Sequence, residues 1–413
     1  MSDETTGAPM VPAEFNLLEI ETFAKGHPWA LYDEMQRKGR LLRHPGGGDI
    51  GDFWVATHHE DIRAISHNTE QFSSMQGFNL PAGGRRAPPE IANAVGRNIL
   101  GFDLPEHAEF KRILIPAFMP ARIRALEERT HRFVVNLLDS LDGQREVEFV
   151  RQIAAVIPIK VLCDLLGVPL EDEERILHWT NLMVGVNDPD LSTGPAESFA
   201  AFMEVFAYGK WLVEKRRQEP QDDLMSMVAH GRLDGEPLDD RSRDGMCATL
   251  IAAGNETTRN AITASVQLMS KAPDERTRLV GDPALVGMAV EEFLRRATPL
   301  IHMMRTAKED LEVAGQIIAK GEHVAMLYGA ANHDPSVFPD PYHLDLGRPN
   351  ARKHLAFGTG MHACIGQRVA QMEMRVLLRE LLRRYPRAEA LAEPTYMLSN
   401  FVCGIKKLPV RLH

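Results

Sequence analysis

A mainly helical fold with small β-sheets, built as one domain, is predicted by three observations on the 413-residue sequence. Apolar residues recur every three to four positions through six long stretches, which places them along one helix face. Alternating apolar and polar residues are confined to a few short runs near the two ends, so the β component is minor. No fixed-period repeat, low-complexity tract or linker interrupts the chain. Residues 15–413 are therefore expected to form a single domain behind an N-terminal tail of residues 1–14.

In chain order, Phe53-Trp-Val-Ala-Thr57 is rich in aromatic and β-branched residues and reads as the first strand. Residues 76–97 and 187–195 carry turn formers without periodicity. Loops of that length in a compact chain are usually functional, and both are expected to act as lids over a pocket. Helical spacing of apolar residues runs through 121–141, 153–166, 198–214, 241–269 and 285–296. Strands return at 311–314 and 322–328, a last helix spans 366–384, and a last strand covers 407–411.

Lys and Arg number 47 against 57 Asp and Glu, and the resulting charge of −10 disfavours nucleic acid and anionic lipid as partners. The start of the chain carries neither a basic leader nor an apolar run, and no segment approaches the roughly 20 apolar residues of a membrane span. A cytoplasmic protein without a membrane anchor is expected. Cys163, Cys247, Cys364 and Cys403 are too few and too widely spaced for a disulfide framework or a paired zinc knuckle. Cys163 and Cys247 lie in apolar surroundings and read as small buried hydrophobes.

Cys364 is different. In His354-Leu-Ala-Phe-Gly-Thr-Gly-Met-His-Ala-Cys-Ile-Gly-Gln-Arg-Val-Ala370, three glycines flank a lone cysteine just ahead of a helical pattern. Such a loop lets the backbone approach something bulky, and amides at the helix start favour a thiolate, which can bind haem iron. A zinc site with His354 and His362 lacks a common ligand spacing, and a phosphate loop would need a following Gly-Lys-Ser/Thr. On this segment alone a structural cysteine stays open, although it has no need of flanking glycines.

The run Phe357-Gly-x-Gly-x-His-x-Cys364-x-Gly366 resembles the haem-binding loop of the cytochrome P450 family. The resemblance implies the fold of that family, with haem b buried between the long central helix and the helix that follows the cysteine. It makes Cys364 the iron ligand, Phe357 a neighbour beneath the porphyrin, and His362 a partner of a haem propionate. His107, Lys111 and Arg305 are implied as further propionate partners, since cations suit carboxylates. The sequence departs from the usual bacterial pattern at Leu104 and at Lys111, where arginine is common and would supply a bidentate fork.

Two further segments agree. Glu292 and Arg295 are three apart on one helix face and look like the family's structural Glu-x-x-Arg, with Arg348 as the joining arginine. Thr249, Ala253, Glu256 and Thr257 share one stripe by their spacing. The bland reading sends Thr257 back to the preceding turn and Glu256 to solvent. By resemblance Gly254 leaves room for dioxygen, while Glu256 and Thr257 relay protons to it.

The resemblance implies a monooxygenase that inserts one atom of O2 into a C–H bond of a lipophilic small molecule, such as a terpenoid, a steroid or an alkyl chain. Its pocket would include Thr249, Ala253, Ile301, Phe401 and Val402. No flavin- or nicotinamide-binding unit is evident, so electrons are expected from a ferredoxin with its reductase. Arg352, Lys353, His354, Arg368, Lys111 and Arg112 would then form a basic docking patch. The alternatives are a peroxide-driven peroxygenase and a non-catalytic haem-thiolate sensor or ligand-binding protein.

Overall fold

The computed structural model describes residues 8–86 and 98–413. The part of the 76–97 loop that covers residues 87–97, and residues 1–7 of the expected tail, lie outside the described residues. The packed structure begins ahead of residue 15. Arg43 pairs through its backbone with Pro9 and Val11, and Val11 is buried.

Nine helices position the site: α1 Glu106–Leu114, α2 Pro120–Asp139, α3 Val156–Leu166, α4 Glu173–Val184, α5 Pro195–Gln218, α6 Asp240–Ala253, α7 Glu256–Lys271, α8 Val286–Ala297 and α9 Gln367–Arg384. Five match the stretches predicted at 121–141, 153–166, 198–214, 285–296 and 366–384. The stretch 241–269 was expected as one helix and is two, divided at Gly254-Asn255. Glycine is a weak helix former, and the Thr257 hydroxyl donates to the Ala253 carbonyl at 3.3 Å, a back-bond that bends helices. Helices α1 and α4 were not predicted.

A five-stranded sheet packs at one end, from β1 Leu41–His44, β2 Phe53–Ala56, β3 Phe72–Ser73, β4 His302–Ala307 and β5 His323–Leu327, in the order β1-β2-β5-β4-β3. Val55 stands opposite Leu42 in an antiparallel pair and opposite Ala325 in a parallel one. The run 311–314 forms a hairpin strand, Leu311–Val313. The single strand expected at 407–411 is two: β6 Ile405–Lys407 and Pro409–Arg411 lie in different sheets.

One apolar core gathers Leu138, Ile157, Phe293 and Leu377 from α2, α3, α8 and α9. A second gathers Ile159, Leu212, Cys247 and Ile251 from α3, α5 and α6. A fully buried Leu or Phe contributes about 1.5–3 kcal/mol, so these clusters fix the helices around the site. Cys163 and Cys247 are both buried, and burial pushes the Cys163 thiol up to about 12.

Glu373 breaks the apolar pattern of α9. It is buried, its Oε2 has no hydrogen-bond partner, and burial alone pushes its carboxyl well above the usual carboxylate range. A carboxyl whose folded pKa exceeds its unfolded value contributes stability that is full below the unfolded value, near 4.3, and is lost as pH rises through the folded value. Glu373→Met is therefore expected to raise the urea midpoint, and by more at pH 8 than at pH 5. An offset that does not change with pH would contradict this.

Candidate active site

The cysteine loop is held in place from both ends. Cys364 N–H donates to the Phe357 carbonyl at 2.9 Å, and Leu355 N–H donates to Asn332 Oδ1 at 2.6 Å. Gly360 has φ +71°, and a Cβ there would strike the Ser66 carbonyl, so only glycine fits. Helix α9 starts at Gln367 with Gly366 at its cap. Cys364 is exposed and lines a recess, so its sulfur is accessible to a ligand.

The thiolate does not come from the helix start alone. Burial pushes the Cys364 thiol up, and this outweighs the Gly366 and Gln367 amides and Lys111, which act the other way. A bound metal ion deprotonates a coordinating thiol outright, so the site suits a sulfur that becomes anionic when it meets a cation. His354 and His362 are not arranged to share a zinc ion with it. His354 Nε2 contacts Glu291 at 3.2 Å, and His362 Nε2 contacts Ser74 Oγ at 3.1 Å.

Basic side chains gather beside this loop. The rings of His107 and His362 stand 4.3 Å apart, and Arg305 is buried with its Nη1 on the carbonyl of Met304 at 2.7 Å. Burial, then Lys111 and Arg305, push His107 down to about 4, and burial, then Arg305, push His362 far below its ordinary value. Arg305 makes no salt bridge among the described residues. A desolvated cluster with so little compensating charge suits added carboxylates. Lys111 also acts on the loop itself: its ammonium donates to the carbonyls of Met361 at 2.9 Å and Ala363 at 3.3 Å, so it braces the cysteine loop.

Beneath the loop, Arg295 grips both oxygens of Glu292 at 2.8 and 2.7 Å, and Arg348 Nε reaches the same carboxylate at 3.2 Å. The structure thus brings Glu292, Arg295 and Arg348 together, with the Glu292 and Arg295 side chains fully buried.

The expected stripe on the central helix splits at its break. Ala253 is exposed and Thr257 half-buried, whereas Glu256 is buried and ion-paired with Arg259. Glu256 thus faces neither the Ala253 side nor bulk water. Burial raises its carboxyl pKa more than Arg259 lowers it. Gly254 does not open space for dioxygen, because a Cβ there would meet Leu162 of α3 at 2.9 Å. Its missing side chain serves helix packing. Thr249 Oγ1 donates to the Gly245 carbonyl at 2.8 Å.

A family model described as Cytochrome P450 matches residues 283–407. A methyl-branched lipid omega-hydroxylase of Mycobacterium tuberculosis is 38% identical across 99% of this chain and 98% of its own length. The chain belongs to the cytochrome P450 family. Linalool 8-monooxygenase of Pseudomonas putida is 33% identical over 96% of this chain and 98% of its own. A Mycobacterium marinum cytochrome P450 solved with pseudoionone superposes with a TM-score of 0.90 at 30% identity, covering 98% of this chain and all of that one. This cytochrome P450 is accordingly a haem-thiolate monooxygenase that takes haem b, a lipophilic substrate, O2 and electrons from a redox partner. The accessible sulfur and the cluster of basic side chains beside it fit that cofactor.

Three expectations for this cytochrome P450 need correction. Ile301 is not at a pocket surface: it is fully buried in a core with Phe15, Leu17 and Tyr32, and its N–H donates to the Phe401 carbonyl at 2.9 Å. Val402 is also buried, bridged to Leu300, while Phe401 is half-exposed and packs near Phe78 at 6.2 Å. His354 is buried, so it drops out of the basic patch, which leaves Arg112, Arg352, Lys353 and Arg368 exposed and Lys111 half-buried. A recess of about 410 Å³ on that side is lined by Cys364, Ile365, Arg368, Phe118, Ile115 and Met119, among others.

Two buried side chains, His302 and Asn400, cross-link distant segments. His302 accepts from Leu80 N–H at 2.9 Å and contacts the Asn400 carbonyl at 3.1 Å, while Asn400 donates to the Leu80 carbonyl at 3.1 Å. Together they tie the 75–84 loop to the segment carrying Phe401. Lys406 of β6 lies 2.9 Å from Asp188 and 2.7 Å from Asp190, and Asp188 also accepts from Leu398 N–H. The loop between α4 and α5 is thereby bolted to the same segment. No spacing rule links such distant residues.

Proposed function

We propose that this monooxygenase oxidises the terminal carbon of a methyl-branched or terpenoid lipid, with Cys364 as the iron ligand and a ferredoxin as electron donor in the cytoplasm. Residues 15–413, together with the packed residues ahead of them, would act as one domain. The observation that carries the substrate reading is near full-length similarity to the methyl-branched lipid omega-hydroxylase, supported by that to linalool 8-monooxygenase. Among the described residues no helix is long and apolar enough to cross a membrane.

Haem b supplies the one-electron and dioxygen chemistry when bound. The chain's share is binding, orientation and proton handling. Cys364 would give the sulfur ligand, with Phe357 packed near it, while His107, His362 and Arg305 clamp the propionates and Lys111 holds the loop that presents the sulfur. Phe401, Phe78 and the Thr249–Ala253 strip would enclose an apolar chain and exclude water. The Thr257 hydroxyl would hold a proton at Oγ1, with Glu256 as the titratable group behind it. Arg112, Arg352, Lys353 and Arg368 suit an acidic carrier.

The substrate test is a spectral binding screen with a methyl-branched fatty acid, linalool, a steroid and hexadecanoic acid, followed by product analysis. Branched ligands are expected to shift the haem from low to high spin and to yield terminal alcohols. Binding restricted to the straight chain would overturn the reading. For the relay, Thr257→Ala is expected to leave the haem spectrum intact and to raise hydrogen peroxide released per NADH severalfold. Unchanged coupling would remove Thr257 from proton delivery.

A further inference from the structure

Among the described residues, nine buried side-chain nitrogen or oxygen atoms have no hydrogen-bond partner, and four of them fall within six consecutive positions at the helix break. They are Asn255 Oδ1, Glu256 Oε1, Arg259 Nε and Asn260 Nδ2, on residues no more than 4% exposed. Asn255, the N-cap of α7, lies four positions before Arg259 and Glu256 three before it, which makes these three neighbours at the first turn, while Asn260, four on from Glu256, accepts from Ile405 N–H at 3.1 Å through its Oδ1. An orphaned buried polar atom costs about 1–3 kcal/mol, so four together are expected to share enclosed water. Two acceptors and two donors suit such a site.

Arg259 organises it. Its Nη2 pairs with Glu256 Oε2, and its Nη1 donates to Asn181 Oδ1 of α4 at 2.9 Å. Asn255 Nδ2 reaches Thr180 of the same helix at 3.3 Å. Arg259 is the charged group that acts on Glu256, while α4 adds the neutral Thr180 and Asn181 and α3 adds Leu162 against Gly254.

We propose that Arg259, anchored by Asn181, is a positioning residue for Glu256, and that the orphaned atoms line a hydrated chamber through which Glu256 exchanges protons. The proposal rests on the proton-relay reading above. One oxygen of Glu256 is held by Arg259, and the other stays free for water. Loss of the guanidinium leaves the carboxylate buried without a counter-charge, which favours its protonated form.

The test is infrared titration of the ferric holoenzyme, with the Glu256 carboxyl band assigned by its loss in Glu256→Gln. In Arg259→Met the midpoint is expected to move up by about 1–3 pH units, with a smaller move in Arg259→Lys. Asn181→Ala, which leaves the ion pair intact, should move it in the same direction by less, and serves where Arg259→Met fails to fold. The parent band should exchange with D2O faster than that of the buried Glu373. An unmoved midpoint in these variants, or exchange as slow as that of Glu373, would overturn the proposal. Glu256→Gln with unchanged peroxide release would instead sink the relay reading while leaving the midpoint shifts in place.

Discussion

Cys364→Ser is expected to abolish the long-wavelength Soret band of the reduced carbonyl complex and to reduce oxygenation to background. Cys364 would supply a haem iron with a strongly electron-donating thiolate, and a hydroxyl is a weaker and harder donor. Among the described residues the histidines of the cysteine segment are already engaged. His362 is engaged with Ser74 and His354 with Glu291 and the Ala356 amide. The loop itself should survive, because its geometry comes from Gly360, the Cys364 N–H bond to Phe357 and the Lys111 brace on Met361 and Ala363. The measurement is the reduced carbonyl spectrum beside product formation. A retained band would show that another atom binds the iron.

The segment 354–370 was legible because its constraints are local. Positive-φ glycines, a lone cysteine and a helix start are adjacent in the chain, so steric and chemical demands appear together. The Glu292–Arg295 pair was legible as a spacing, and its burial was not: the same spacing on an exposed face would be a weak surface pair. The direction of Glu256 was misread for a related reason. Helical spacing places it near Ala253, but a partner three residues on, Arg259, and the polar side of α4 hold it elsewhere. Ile301 shows the same limit in a strand region, since composition marks it as apolar without saying whether it lines a pocket or a core. The divided central helix was missed because its apolar periodicity continues across Gly254-Asn255 while the backbone bonds do not.

Glu292→Gln is expected to cost about 3–5 kcal/mol, the usual penalty for removing one partner of a buried ion pair. Glutamine keeps the shape and loses the charge, which leaves two guanidiniums, Arg295 and Arg348, uncompensated in the interior. Against a total stability on the order of 5–15 kcal/mol, that is a large fraction. The damage should not stay local. Arg295 donates to the carbonyls of Asn332 and Pro341, and Arg348 to those of Pro339, Asp340 and His343. The two arginines therefore hold the segment 332–348 in place, and Asn332 in turn receives Leu355 N–H at the start of the cysteine loop. Loosening Glu292 should therefore lower haem content together with the urea midpoint, although the bonds of Glu292 go to Arg295, Arg348 and Asp345 N–H and not to the cysteine loop. Arg383→Gln, which breaks a surface pair with Glu380, is the control and should change the unfolding free energy by less than about 1 kcal/mol. If Glu292→Gln matches that control in both midpoint and haem content, the three-residue network is not what supports the cysteine loop.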